Sequence, residues 1–467
     1  LHRIIELNNH IHNFVWGPVM LMFLVGIGIY FTVSTNAFQI TKIRLWLSNT
    51  LALLFQKQKA KDGAVTPFQA FTTAMAATAG TGNLVGVATA IISGGPGAVF
   101  WMWVSGFFGM MTKYAEIVLA VKFRKRNAKG DWVGGPMYYI TEGMGEHFRW
   151  LAVLFSIFGS LCAFGIGNMT QINSIIGTSE AMLLDLGVIA QPGDAPMFKW
   201  VSGIILAILV ALVILGGIQR IGSATETLIP FVGLLNIAGC IAAVCIKSEN
   251  LGQAFSDIFR GAFRWEAVGG GVMGYTIMQA VKFGIARGVF TNEAGLGSAP
   301  IAHAAADTDH PVEQGMWGVF EVFADTLIMC TLSGLVILTS GAYKGAATAL
   351  DGSQLISASF RASFGVFGSV FLAFSVLLFA YCTTLSWSLY GQRCFEYLLN
   401  GRGVRVYQLA FSACVLAAAL MKLELAWDIA DTLNGLMAIP NLIALTALSG
   451  IVLRATREYL SSGNPEK

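Results

Sequence analysis

The sequence predicts an all-α polytopic membrane protein of eleven transmembrane helices, and three observations carry that expectation. Of 467 residues, 55% are hydrophobic and 12% charged, with a mean hydropathy of +0.67. Soluble domains hold about a quarter charged residues. Eleven apolar stretches approach the roughly 20 residues a helix needs to cross a bilayer, and lysine and arginine collect in alternate loops between them. The 53 glycines agree with this class, because membrane helices carry more glycine than soluble ones. A formal charge of +3 offers nothing to nucleic acid. Seven cysteines form no CxxC pair, so neither a disulfide framework nor an enzymatic cofactor is expected.

In chain order the spans are 12–34, 67–93, 97–121, 150–180, 201–219, 224–246, 268–289, 315–341, 364–391, 406–421 and 432–453. The first follows a polar leader without a small-residue cleavage pattern and is expected to remain as a span. The stretch 35–60 alternates basic and large apolar residues, which fits a surface amphipathic helix and an extension of its neighbours equally well. Basic residues then test the count. Lys42, Arg44, Lys57, Lys59 and Lys61 follow span 1, and Lys122, Arg124, Lys125, Arg126 and Lys129 follow span 3. Arg220 follows span 5, Arg393, Arg402 and Arg405 surround the loop after span 9, and Arg454 and Arg457 follow span 11. All fall on one side if the spans alternate, so the N-terminus is expected outside and the C-terminus inside.

Spans 2–6 and 7–11 are two sets of five, and an odd number makes successive halves start from opposite faces. The expected organisation is an extra helix and linker over 1–66, a first half over 67–246, an inverted second half over 247–453 and a tail over 454–467. Each half opens on a glycine-rich span. The first holds AATAGTGNLVG at 76–86, inside a stretch without charge from Gly63 to Thr112. The second holds Gly269, Gly270, Gly271, Gly274, Gly284 and Gly288. Paired interrupted spans point to a secondary transporter's binding site. Open backbone at membrane depth is tolerated only where protein or water meets its freed groups. Half-helix starts suit a carboxylate and half-helix ends a cation, so the pattern matches a zwitterion accompanied by Na⁺.

Side chains near the breaks supply the candidates. Gly80 and Gly82 let a ligand approach the backbone, while Thr81 and Asn83 add a hydroxyl and an amide. GTGN lacks the basic residue of a phosphate loop. In span 4, Gln171 is the amide placed toward the cavity, with interhelical bonding as the alternative. In span 9, Thr383 and Thr384 offer hard oxygens to a cation, and Trp387 walls a small apolar subsite. Phe283 and Gly284 border the solute where span 7 narrows. The segment 289–311 is too polar for a span and reads as a short helix sealing the inner mouth. Its His303 and His310 match no zinc spacing.

AATAGTGNLVG, GMMTKYAEIVLAVKFR at 109–124, GGPMYYI at 134–140 and GVFTNEAGLGSAPIAHAAA at 288–306 closely resemble the alanine or glycine:cation symporter family. The likeness extends through nearly the whole chain. It implies a five-plus-five inverted-repeat core, as in amino acid, polyamine and organocation transporters, preceded by one extra helix. It further implies a bacterial or archaeal inner-membrane carrier, surrounded by lipid, that couples uptake of alanine, glycine or a similar small neutral amino acid to Na⁺. On that likeness Gly80, Thr81, Asn83 and Gln171 hold the polar end of the solute, and Phe283, Gly284, Thr383 and Trp387 border it. Thr383 and Thr384 join carbonyls near Ala77 and Gly80 around Na⁺. The first broken helix has no carboxylate for the ammonium group, so backbone carbonyls or an acidic residue from elsewhere must face it. Proton coupling, a passive channel and an amino acid sensor are the alternative functions.

Overall fold

The computed structural model describes residues 2–52, 60–61, 63–191, 196–263, 277–346, 350–421 and 424–462. Apolar sequence in lipid must satisfy its own backbone, and the regular structure of the described residues is accordingly helical apart from a two-stranded hairpin and a single bridge between Val65 and Ala306. Helix α1, Ile5–Ser34, begins seven residues before the expected start of the first span. The undecided stretch that follows contains a separate short helix, α2 (Ile43–Leu51). Trp46 anchors it to the bundle, 1% exposed, with its indole N–H donating to the Gln39 carbonyl at 3.1 Å.

The second span is broken. Its first half, α3 (Pro67–Thr78), starts on a reciprocal cap in which Thr66 and Gln69 each accept the other's backbone N–H, with Pro67 at the first helical position. The second half, α4 (Val85–Gly94), leaves at 53° to it. Helix α5 (Ala98–Lys122) is a buried central post. Strands β1 (Lys125–Arg126) and β2 (Trp132–Val133) pair antiparallel, Lys125 opposite Val133. Helix α6 (Glu146–Asp185) runs 40 residues and widens by one residue per turn at Gly165–Met169.

Helices α7 (Pro196–Ile214) and α8 (Gly217–Ile246) meet at a tight corner. This corrects the expected boundary at 219–224: a double glycine between apolar residues reads as continued span, and only the positive φ of Gly217 (+70°) reveals the turn. Further along, leaving out helices of four residues or fewer, come α9 (Leu251–Phe263), α10 (Ile277–Asn292), α11 (Ala299–His303), α12 (Pro311–Ser340), α13 (Gly352–Phe364), α14 (Val366–Leu398), α15 (Val404–Leu420), α16 (Glu424–Ala447) and α17 (Ser449–Ser461). Among the described residues eight helices are long and apolar enough to span a membrane, and the broken pair makes nine. Helix α15 is a shorter apolar helix of 17 residues. The seventh expected span lies partly outside the described residues, including Gly269, Gly270, Gly271 and Gly274. The last expected span is shifted, its apolar helix covering Asp428–Ala447.

Candidate functional site

The break in the second span is held open by side chains rather than left loose. Helix α3 closes with the Ala79 amide on the Met75 carbonyl at 2.7 Å, and Gly80 is extended (φ −141°, ψ −151°). Asn83 braces the gap: its carbonyl oxygen accepts the Gly80 N–H at 3.0 Å, and its amide donates to the Asp325 carboxylate at 2.6 Å. Asn83 is 1% exposed and does not line the cavity beside it. It shapes the opening without facing it.

That cavity, of about 20 Å³, holds room for about one water. Around it stand Ala77, Gly80, Thr81, Gln171, Thr383 and Trp387, all expected from sequence. Thr81 donates to the Gln171 side-chain carbonyl at 3.2 Å, and Gln171 donates to the Ile166 carbonyl freed by the widened turn of α6, at 3.0 Å. Thr383 reaches across to the break and donates to the Ala76 carbonyl at 2.8 Å. Thr384 donates to Ala380 of its own helix at 2.8 Å and is not part of the lining. In both threonines the proton is committed elsewhere, which leaves oxygen lone pairs for a cation. Trp387 comes this close because Gly167 opposes it. A Cβ on Gly167 would lie 2.0 Å from the Trp387 Cβ.

Two expected residues stand elsewhere. Phe283 packs beside Gly94, and Gly284 lies against the Ala98 carbonyl and Trp101, where α5 begins. The aromatic ring that α10 brings to the cavity is Phe290, seven residues or about 10 Å further along. The expectation set the solute border at Phe283 and Gly284 within the glycine-rich span 268–289, about two turns before the ring that lines the cavity. The described interruption follows α10, where Glu293 (φ +55°), Gly295 (+91°) and Gly297 (+81°) are all left-handed. This segment, with the buried helix α11 behind it, is the one expected to seal the inner mouth.

Glu293 is the residue that sequence reasoning missed. It lines the cavity at 3% exposure, and its carboxylate accepts a hydrogen bond from Ser298 at 2.5 Å. A non-glycine residue held left-handed is uncommon and costs energy that the surroundings must sustain. The signal was present in TNEAGLGS, a glycine-rich stretch with an acid that parallels GTGN. Asn434 of α16 also lines the cavity, and its side-chain oxygen is buried without a hydrogen-bond partner. A lone asparagine in an apolar helix gave no such signal.

A second polar system lies behind the site. Lys113, wholly buried, donates to Glu321 at 3.0 Å, the other oxygen of Glu321 meets His303 at 3.1 Å, and His303 meets Gln314 at 2.7 Å. Gln314 borders a vestibule of about 410 Å³ that Thr66, Pro67, Asp307, Asp309 and Trp317 also line. Phe71 stacks near Trp317 at 4.8 Å between ring centres, in one apolar cluster with Met75, Ala76 and Ala79. That cluster joins Trp317 of the vestibule wall to Ala79 at the break.

The sequence profile described as the sodium:alanine symporter family matches residues 2–467. The chain belongs to that family. This sodium:alanine symporter family member is 45% identical to the sodium/alanine symporter AgcS of Methanococcus maripaludis over 462 residues, covering 97% of each chain. It is 43% identical to an uncharacterized transporter of Haemophilus influenzae, covering 96% of this chain and 94% of that one. Among solved structures, that of MhsT in complex with L-phenylalanine superposes with a TM-score of 0.56 at 12% identity, covering 85% of this chain and 99% of that one. The likeness assigns the LeuT-type fold. The family member is thus a multi-pass membrane transporter built mostly of helices.

Proposed function

We propose that this chain carries a small neutral amino acid, alanine or glycine, into the cell together with Na⁺ by alternating access. The observation that carries the proposal is the braced break at Ala79–Gly80, with one carboxylate and several uncharged polar groups facing the gap. The solute carboxylate takes the place of Gln171 as acceptor of the Thr81 hydroxyl beside Gly80, with the Gln171 amide completing the polar wall. The ammonium group meets Glu293 and the free oxygen of Asn434, which supplies the acidic partner that the first broken helix lacks. Trp387 and Phe290 leave room for a methyl group and exclude bulk. Carbonyls of Ala77 and Gly80 with the hydroxyls of Thr383 and Thr384 form the Na⁺ site. The similarity to AgcS at 45% identity supports both cargo and coupling ion.

The reading keeps eleven crossings of the cytoplasmic membrane, N-terminus outside, with inverted halves over 67–246 and 247–453. Sodium steadies the broken helix and raises solute affinity, and the effect is reciprocal. A cavity this small admits a solute only when the lining helices separate, and closure then occludes it. Inward movement of one net charge gains about 2.3 kcal/mol per 100 mV. Proton coupling is the second reading, favoured by the buried carboxylates of Glu116, Glu293, Glu321 and Asp325. Sealed vesicles containing the purified protein, given labelled alanine under Na⁺, K⁺ or proton gradients, separate the two. Concentrative uptake under the Na⁺ gradient alone is expected. Accumulation driven equally by protons without Na⁺ replaces the coupling ion, and equilibration without concentration replaces symport with a channel.

A further inference from the structure

A cavity of about 210 Å³ opens at the end of the bundle richest in lysine and arginine, its Gln392 about one and a half turns along α14 from Trp387 of the solute site. Lys129 of the β1–β2 turn, the Gly216–Gly217 corner, Arg393 near the end of α14 and Arg405 at the start of α15 form its walls. Two helices begin here, α8 of 30 residues and α15 of 17, and both are preceded by a glycine that offers no side chain to the first amides. Such amides carry the positive end of the helix dipole and take anions readily. A Cβ at Gly217 would meet nothing within 4 Å, so the space beside the α8 start is open.

The charges are arranged unevenly. Arg393, 5% exposed, is already occupied by Glu396 at 2.6 Å and Asp131 at 3.5 Å, and the second oxygen of Glu396 accepts from Asn127 at 2.8 Å. Both carboxylates on the cavity are therefore consumed in building its wall. Lys129 and Arg405 face the same space, and neither has an acidic partner among the described residues. Two free cations and two helix starts thus converge on one polar hole. Its rim is different in kind: Leu212 near the end of α7, Leu215 at the corner that follows, and Val406 and Leu409 on α15 are all exposed. In a bilayer such side chains meet acyl chains.

A polar anion socket opening onto a lipid-facing apolar rim suits a molecule with phosphate at one end and hydrocarbon at the other. We propose that this cavity binds the phosphate of an anionic phospholipid, whose tails lie along α7 and α15. Basic pockets between membrane helices bind such headgroups. The lipid ties the α7–α8 corner to the α14–α15 corner. A zwitterionic headgroup is disfavoured, because its choline would meet Lys129 and Arg405.

The test uses the full chain in detergent, titrated with phosphatidylglycerol, phosphatidylcholine or inorganic phosphate, and read by native mass spectrometry and thermal unfolding. Phosphatidylglycerol is expected to be retained and to raise the unfolding temperature above the effect of phosphatidylcholine. Lys129→Gln with Arg405→Gln should weaken phosphatidylglycerol binding roughly five-fold for each cation removed. The exposed pair Arg454→Gln and Arg457→Gln, on the same basic end, should leave it unchanged. Unaltered binding in the first pair, an equal loss in the second, or equal retention of phosphatidylcholine overturns the proposal. Protection by inorganic phosphate to the same degree replaces the lipid with a soluble anion.

Discussion

Replacing Glu293 by glutamine probes the site most sharply. Glutamine keeps the shape and can still accept the Ser298 hydrogen bond, so the left-handed turn retains its brace. What changes is the charge offered to the cavity from a side chain 3% exposed. A hydrogen bond to a charged group contributes about 1.5–3 kcal/mol, and every 1.4 kcal/mol is tenfold in affinity. Loss of the ammonium partner should therefore raise the alanine Kd by roughly 10- to 150-fold. The assay is equilibrium binding of labelled alanine to purified protein at saturating Na⁺, with propionate as a competitor that shares the carboxylate and lacks the ammonium group. Propionate competition should be unchanged or improved in Glu293→Gln, because its partner no longer includes a buried negative charge. Wild-type alanine affinity in a folded variant refutes the assignment. A parallel loss of alanine and propionate binding would mean that Glu293 only shapes the turn.

Four further outcomes follow from the same geometry. Asn83→Ala strands the Gly80 amide and Oδ1 of Asp325, whose other oxygen keeps Thr326, at about 1–3 kcal/mol for each buried atom left unpaired, so both thermal stability and alanine binding should fall; binding lost at unchanged stability would instead make Asn83 a contact. Thr384→Ala should shift the sodium activation curve to higher concentration, and an unmoved curve removes Thr384 from the Na⁺ site. Lys113→Met leaves Glu321 and His303 buried without their cation, at about 3–5 kcal/mol, and thermal unfolding should recover in part when Glu321→Gln is added. Gly167→Ala sets a Cβ 2.0 Å from that of Trp387 and forces α6 and α14 apart, at about 1–3 kcal/mol; uptake kinetics should show a raised KM for alanine, and an unchanged KM would separate Trp387 from the solute.

The membrane class and the first break were legible in the chain because their causes are local. Uncharged stretches of helical length belong in lipid, and GTGN at mid-span lacks the residues that would keep a helix continuous. The expectation that Thr81, Gln171 and Thr383 face one gap rested on the cost of polar groups in an apolar span, and that for Trp387 on its place one turn beyond Thr383; all four line the same cavity. Phe283 and Gly284 stand about two turns before the cavity-lining Phe290, because a glycine-rich span does not by itself fix where along its helix a gap falls. The Gly216–Gly217 corner was missed because apolar residues on both sides mask a turn.

Other features exist only once the helices are packed. Thr383 meets Ala76 across 307 residues of sequence and Thr81 meets Gln171 across 90. Glu293 faces the cavity only because a left-handed turn aims it there, and Asn434 is left with a free oxygen only because α16 lies alongside. Sequence alone decided which solvent the chain lives in and where its second span breaks, since both depend on the character of neighbouring residues. Which charges meet in the opening was decided by tertiary structure, since electrostatic partnership depends on distance in space, and the chain order does not encode that distance.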